Sequence, residues 1–193
     1  MVETAASTTR ERILDAALDA FAARGVEATS LDAVGAAIGI RKQTILYWFP
    51  SKEQLLLGVV DHAVAELGAR LSEAARSATT LDDRLVAVVD ATFRLGTTHP
   101  ELLAVVREVT RVGPPASTHL AAAVGPLVAA ATGALGPADD QDRLGQVLLA
   151  AGARVVGLAT EAAVRTDLGL APDLAWLRAR RRALIESLTD QLG

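Results

Sequence analysis

Between Gly39 and Lys52 the chain sets Arg41, Lys42, Gln43, Thr44, Tyr47, Trp48 and Lys52 within fourteen residues. The segment holds both lysines of the chain and three of its six aromatic residues, and no acid stands between Asp32 and Glu53. Such side chains suit a polyanion: ammonium and guanidinium groups meet phosphates, while amide, hydroxyl and ring groups meet base edges and sugars. Catalytic chemistry has no comparable cluster. There is no cysteine, and His62, His99 and His119 lie far apart without any zinc-protease, nucleophile-elbow, P-loop or dinucleotide motif. The expected sets of catalytic residues, metal ligands and cofactors are therefore empty. Residues 1–60 contain six basic and seven acidic side chains, and the chain carries a net charge of −4, which points to a small directed contact with DNA rather than a basic coat.

The elements that must position this cluster are helical. Thr8-Thr9-Arg10-Glu11 is a capping box leading into Ile13, Leu14, Ala17, Leu18 and Phe21 at helical spacing, and Gly25 stops that run. Thr29 or Ser30 caps a short second helix with Leu31, Val34 and Ile38 on its apolar face, ended by Gly39. A turn leads to a third helix of about two turns that Pro50 terminates. Ser51 begins a long fourth helix reaching about Ala78, and Thr80 with Asp83 caps the next. Breaks at 99–100, 113–115, 136–137 and 169–172 divide the remainder, and Pro126 predicts a kink in the seventh helix. No stretch alternates with period two, so the fold class is all-α with about nine helices.

A short helix, a glycine-containing turn and a second short helix form a helix-turn-helix, whose second helix enters the major groove while the first braces it. Ile45 and Phe49, one turn apart, face the core; Gln43, Thr44 and Tyr47 face DNA; Arg41, Lys42 and Lys52 reach phosphates. Trp48 is open between core and DNA contact and is kept with the DNA-facing set. Residues 1–8 read as a disordered leader, 9–50 as the DNA-binding domain and 51–193 as a ligand-binding and dimerisation domain. Met1 to Thr9 lacks the basic start and apolar run of a signal peptide, so the expected location is the cytoplasm. The apolar window 144–164 is broken by Gln146, Arg154 and Glu161 and reads as a buried helix of a soluble protein without a membrane partner.

Residues 9–60 resemble the amino-terminal domain of the TetR family of transcriptional regulators. The resemblance rests on Thr29-Ser30, Gly39-Ile40, Lys42, Thr44-Ile45, Phe49 and Ser51-Lys52-Glu53-Gln54-Leu55-Leu56. It implies a homodimeric repressor of a palindromic double-stranded operator, with Thr29 and Ser30 added to the DNA-contacting residues. Three positions depart from the family pattern: Arg41 replaces a capping Ser, Gln43 a frequent Gly, and Leu46 a phosphate-bonding Tyr. Gln43 has the groups to read an adenine edge. The alternative reading is a helical protein-interaction module whose turn-helix segment meets protein.

The second half is expected to offer an unidentified apolar or amphipathic small-molecule effector a pocket lined by Phe93, Leu103, Val106, Leu127, Leu148, Arg154 and Val155. Arg154, a lone charge in its run, either pairs with an acidic ligand or bridges to another helix. For the dimer, Gly152 and Gly157 permit close helix approach, and Trp176, Leu177, Leu184 and Leu188 form a stripe on the last helix.

Overall fold

Helix starts are set by side-chain oxygens that accept otherwise unpaired amides. Thr8 accepts from the Glu11 amide at 3.2 Å while the Glu11 carboxylate accepts from the Thr8 amide at 2.8 Å, so the capping box opens α1 (Thr9–Arg24) as its spacing predicts. Ser30, not Thr29, caps α2 (Leu31–Ala37), accepting from the Ala33 amide at 3.1 Å. Arg41 occupies the cap position of α3 (Lys42–Trp48) without a side-chain bond. Ser51 accepts from the Gln54 amide at 3.2 Å at the start of α4 (Lys52–Arg76), and Thr80 caps α5 (Leu81–Thr98) through the Asp83 amide at 3.1 Å. The helices α6 (Pro100–Val112), α7 (Ala116–Leu135), α8 (Gln141–Asp167) and α9 (Leu174–Leu192) follow. The computed structural model describes residues 8–76, 80–135, 141–170 and 173–192, and among them there are nine helices and no strand. The expected leader, apart from Thr8, and the end of α4 near Ala78 lie outside the described residues.

The chain divides into two units, Met1–Ala65 with Ala104–Ala123, and Glu66–Leu103 with Val124–Gly193. The first is built on Ile13, Leu14, Phe21, Val34, Ile45, Leu55, Val59 and Val60, none more than 1% exposed. Burying each of these side chains stabilises the fold by roughly 1.5–3 kcal/mol. This unit runs past residue 50 because the start of α4 supplies a wall of the core behind α3: a Cβ at Gly58 would stand 2.7 Å from the Phe49 ring and 3.2 Å from Leu14. Gly35 permits the tight α2–α3 turn, since a Cβ there would meet the Ile40 carbonyl oxygen at 2.6 Å, and Gly39 makes the reversal at φ 72°.

In the second unit α5, α8 and α9 pack on one another around Val89, Leu103, Val147, Val155, Leu184 and Leu188. Arg181 of α9 forms a bidentate pair with Asp90 of α5, which holds the arginine in its charged form. The expectation of a buried helix over 144–164 is not met. By length and composition the span Gly145–Asp167 is apolar enough to cross a membrane, yet only 12% of its window is buried. Val147 and Val155 face the core, whereas Leu149, Gly152, Gly157 and Val164 lie on the exposed side.

Candidate nucleic-acid interface

Helix α3 is fixed from behind and open in front. Ile45 is fully buried and Phe49 is 5% exposed, so the two positions one turn apart anchor the helix as its periodicity predicts. On the other side Arg41, Lys42 and Gln43 are exposed, Thr44 is half-buried, and Tyr47 and Trp48 are 80% and 43% exposed. The two rings meet edge to face at 5.5 Å between centroids. Trp48 thus stands on the open side, not in the core. The exposed row joins Arg41 at the cap position to a lysine, an amide and two rings on seven helical residues, about 10 Å of helix, which suits a major groove about 12 Å wide.

The three basic residues of the segment differ in availability. The Arg41 backbone carbonyl accepts from the Thr44 amide at 2.9 Å, but among the described residues its side chain makes no hydrogen bond or ion pair. Lys42 lies 3.8 Å from Asp32, with both side chains well exposed, a pairing too weak to withhold it from a phosphate. Lys52 is committed elsewhere: its ammonium donates to the carbonyl oxygens of Val26 at 2.8 Å, Glu27 at 3.2 Å and Thr29 at 3.1 Å. All three ammonium donors are used on the α1–α2 loop, so Lys52 is corrected from a phosphate contact to a structural tie.

Thr29 requires the same correction. The residue is 1% exposed, and its hydroxyl lies 3.1 Å from the Ala20 carbonyl oxygen and 2.8 Å from that of Gly25, pinning the end of α1 to the start of α2. A side chain sealed inside the loop cannot reach DNA. Ser30 is exposed at the α2 terminus, and its capping oxygen leaves the hydroxyl proton for a phosphate.

A residue that sequence reasoning missed completes this loop. Glu108 of α6 accepts from the Val26 amide at 2.7 Å and from Arg111 at 2.8 Å on both carboxylate oxygens. The Arg111 bonds, reinforced by the Val26 amide, outweigh desolvation and lower the Glu108 carboxyl to about 2. The α1–α2 loop is thus held by α4 through Lys52, by α6 through Glu108 and by its own Thr29. The separation of 82 positions between Glu108 and Val26 left no local pattern to find it by.

The pocket and dimer candidates disperse. Leu103 and Val155 are core residues of the second unit, half-buried Leu148 lies on α8 with Val155, and the side chain of Phe93 lies outside the described residues. Leu127 packs against α4, where a Cβ at Gly68 would stand 2.5 Å from it. Val106 belongs to the first unit, so the seven candidates do not share one. Arg154 is exposed and donates to the Ser187 hydroxyl at 2.6 Å, a cross-helix bond rather than the ion pair considered for it. Leu184 and Leu188 are 5% and 3% exposed in the chain alone and are corrected from an interface stripe to the core of the second unit. Gly152 and Gly157 face open space, while Trp176 and Leu177 are half-buried, with Arg165 and Arg180 set over the Trp176 ring at 5.4 and 5.8 Å.

The fold and this site define a helical protein with an amino-terminal helix-turn-helix. Residues 13–59 match the sequence model of the bacterial regulatory proteins of the tetR family. The transcriptional regulator RutR of Escherichia coli strain K12 is 41% identical over 56 residues, which make up 29% of this chain and 26% of RutR. Over almost the whole chain the fold resembles the fatty acid degradation regulator FadR of Bacillus halodurans, with a TM-score of 0.73, 15% identity and coverage of 93% and 95% of the two chains. It also resembles FadR of Bacillus subtilis in complex with stearoyl-CoA, with a TM-score of 0.73, 16% identity and coverage of 94% and 98%. Residues 13–59 thus carry a tetR-family sequence pattern, and over almost its whole length the chain shares the fold of these regulators.

Proposed function

We propose that this chain is a cytoplasmic, sequence-specific DNA-binding regulator that holds a palindromic operator as a homodimer and represses transcription until a small molecule releases it. The observation that carries this reading is the exposed row of Arg41, Lys42, Gln43, Tyr47 and Trp48 on a helix anchored by Ile45 and Phe49. Gln43 and Tyr47 address bases, and Arg41, Lys42 and Ser30 address phosphates. Support for a dimer comes from the exposed face of α8, where Leu149, Gly152, Gly157 and Val164 form an apolar stripe that a second copy would cover. An apolar or amphipathic effector is favoured by the likeness to a regulator solved with stearoyl-CoA.

The test is retention of DNA by the purified protein at physiological salt, using duplexes selected from a random-sequence pool. Enrichment of a roughly two-fold symmetric site with half-sites about one helical turn apart is expected. Protein that enriches no sequence, yet captures a protein partner through α3, belongs to the interaction-module alternative.

A further inference from the structure

With Lys52 spent on carbonyl oxygens, the positive charge around α3 has to be counted again. Arg41 sits at the amino end of the helix. At the other end the chain turns at Phe49, whose ring lies 5.4 Å from the guanidinium carbon of Arg10, in the first turn of α1. Arg10 is exposed, and contact with a ring satisfies none of its N–H donors with an oxygen. The neighbouring Glu11 is bound to Thr8 in the capping box, whose bonds hold its carboxyl below the usual range. A cation in the first turn of a helix also opposes the helix dipole, so the position gains nothing for α1 itself.

We propose that Arg10 is a DNA-phosphate contact which, with Arg41 at the opposite end of α3, brackets the reading helix between the two strands that border the major groove. The inference rests on the DNA-binding reading above. A seven-residue helix spans about 10 Å, so Arg41 before its first residue and Arg10 beside Phe49, just after its last, lie toward opposite ends of an element of groove size. The Phe49 ring orders the guanidinium before DNA arrives, and its planar fork suits two phosphate oxygens at once. Arg24, exposed at the far end of α1, shows why position matters: fourteen residues along the same helix put it roughly 21 Å from Arg10.

Two substitutions separate a phosphate contact from a cover for Phe49. Arg10→Met keeps an unbranched side chain over the ring and removes the charge, while Arg10→Lys restores the charge. Binding is titrated at several salt concentrations on a pool-selected duplex and an unselected duplex of equal length, with thermal melting in parallel. Arg10→Met is expected to melt like the parent and to weaken both duplexes by the same factor, about tenfold per head. Its dependence of log affinity on log salt becomes shallower by about 0.9 per head, and Arg10→Lys recovers that slope. Parental affinity and slope in Arg10→Met overturn the inference and leave the DNA-binding reading standing. So does an affinity loss that comes with a lower melting temperature and an unchanged slope. A parent protein that holds neither duplex overturns both.

Discussion

Replacing Lys52 by methionine separates a residue that touches DNA from one that builds the surface touching it. Family resemblance and spacing place this lysine at a phosphate, whereas in the folded chain its ammonium donates to the carbonyl oxygens of Val26, Glu27 and Thr29 at 2.8, 3.2 and 3.1 Å. A hydrogen bond to a charged group contributes about 1.5–3 kcal/mol when well sheltered. The Val26 and Thr29 bonds are partly buried and the Glu27 bond is exposed, so the three do not count in full. Methionine keeps the stem of the side chain and leaves two part-buried carbonyls to find water. The expected loss is therefore roughly 2–4 kcal/mol of stability. For a chain of this size it lowers the melting temperature by about 5–15 °C.

The decisive quantity is the salt dependence of DNA binding. A lysine that displaces counterions from a phosphate contributes about 0.9 to the slope of log affinity against log salt, and its loss flattens that slope in each head. A lysine that ties the α1–α2 loop contributes nothing to it. Lys52→Met is accordingly expected to melt early, to bind more weakly where the loop is loosened, and to keep the parental slope. An unchanged melting temperature together with a slope shallower by about 0.9 per head would refute the structural assignment and return Lys52 to the phosphate.

Gln43→Ala is expected to change sequence preference by about 1–3 kcal/mol at the base it reads, with little effect on unselected DNA; an unaltered preference across a site library rejects the readout role. Glu108→Gln tests the other loop tie: the depressed carboxyl contributes stability that is present above the unfolded value near 4.5 and is lost as pH falls toward about 2. After allowance for screening around half-exposed Arg111, the variant should be about 1–2 kcal/mol less stable at neutral pH. That deficit should close between about pH 4.5 and 2, and a constant deficit across acid unfolding curves counts against the assignment. Leu149→Arg puts a charge on the exposed stripe of α8 and is expected to give a folded monomer by light scattering that no longer holds the operator; a variant that remains dimeric moves the interface elsewhere.

What the sequence made legible was local. Caps at Thr8, Ser51 and Thr80 declare themselves within three residues, and the breaks at Gly25, Gly39 and Pro50 are decided by single side chains, so the nine helices could be read in order. The same short range placed Ile45 behind α3 and Tyr47 in front. What it hid was the use of each polar group in three dimensions. Thr29 and Lys52 look like DNA contacts as long as only their neighbours in the chain are considered. In the fold their donors are taken by backbone carbonyls 4 to 26 positions away. Leu184 and Leu188 form a stripe that fits a partner helix as well as it fits α5 and α8 of their own chain, and helical spacing alone cannot choose between those surfaces. Arg10 shows the converse. Nothing in its surroundings in sequence, beside an acid at the start of α1, marks it for nucleic acid, and only the ring of Phe49, 39 positions onward, brings it to the end of the reading helix. Within this domain a cation's place in a motif is thus a weaker guide to phosphate binding than whether an oxygen of its own chain already occupies its donors.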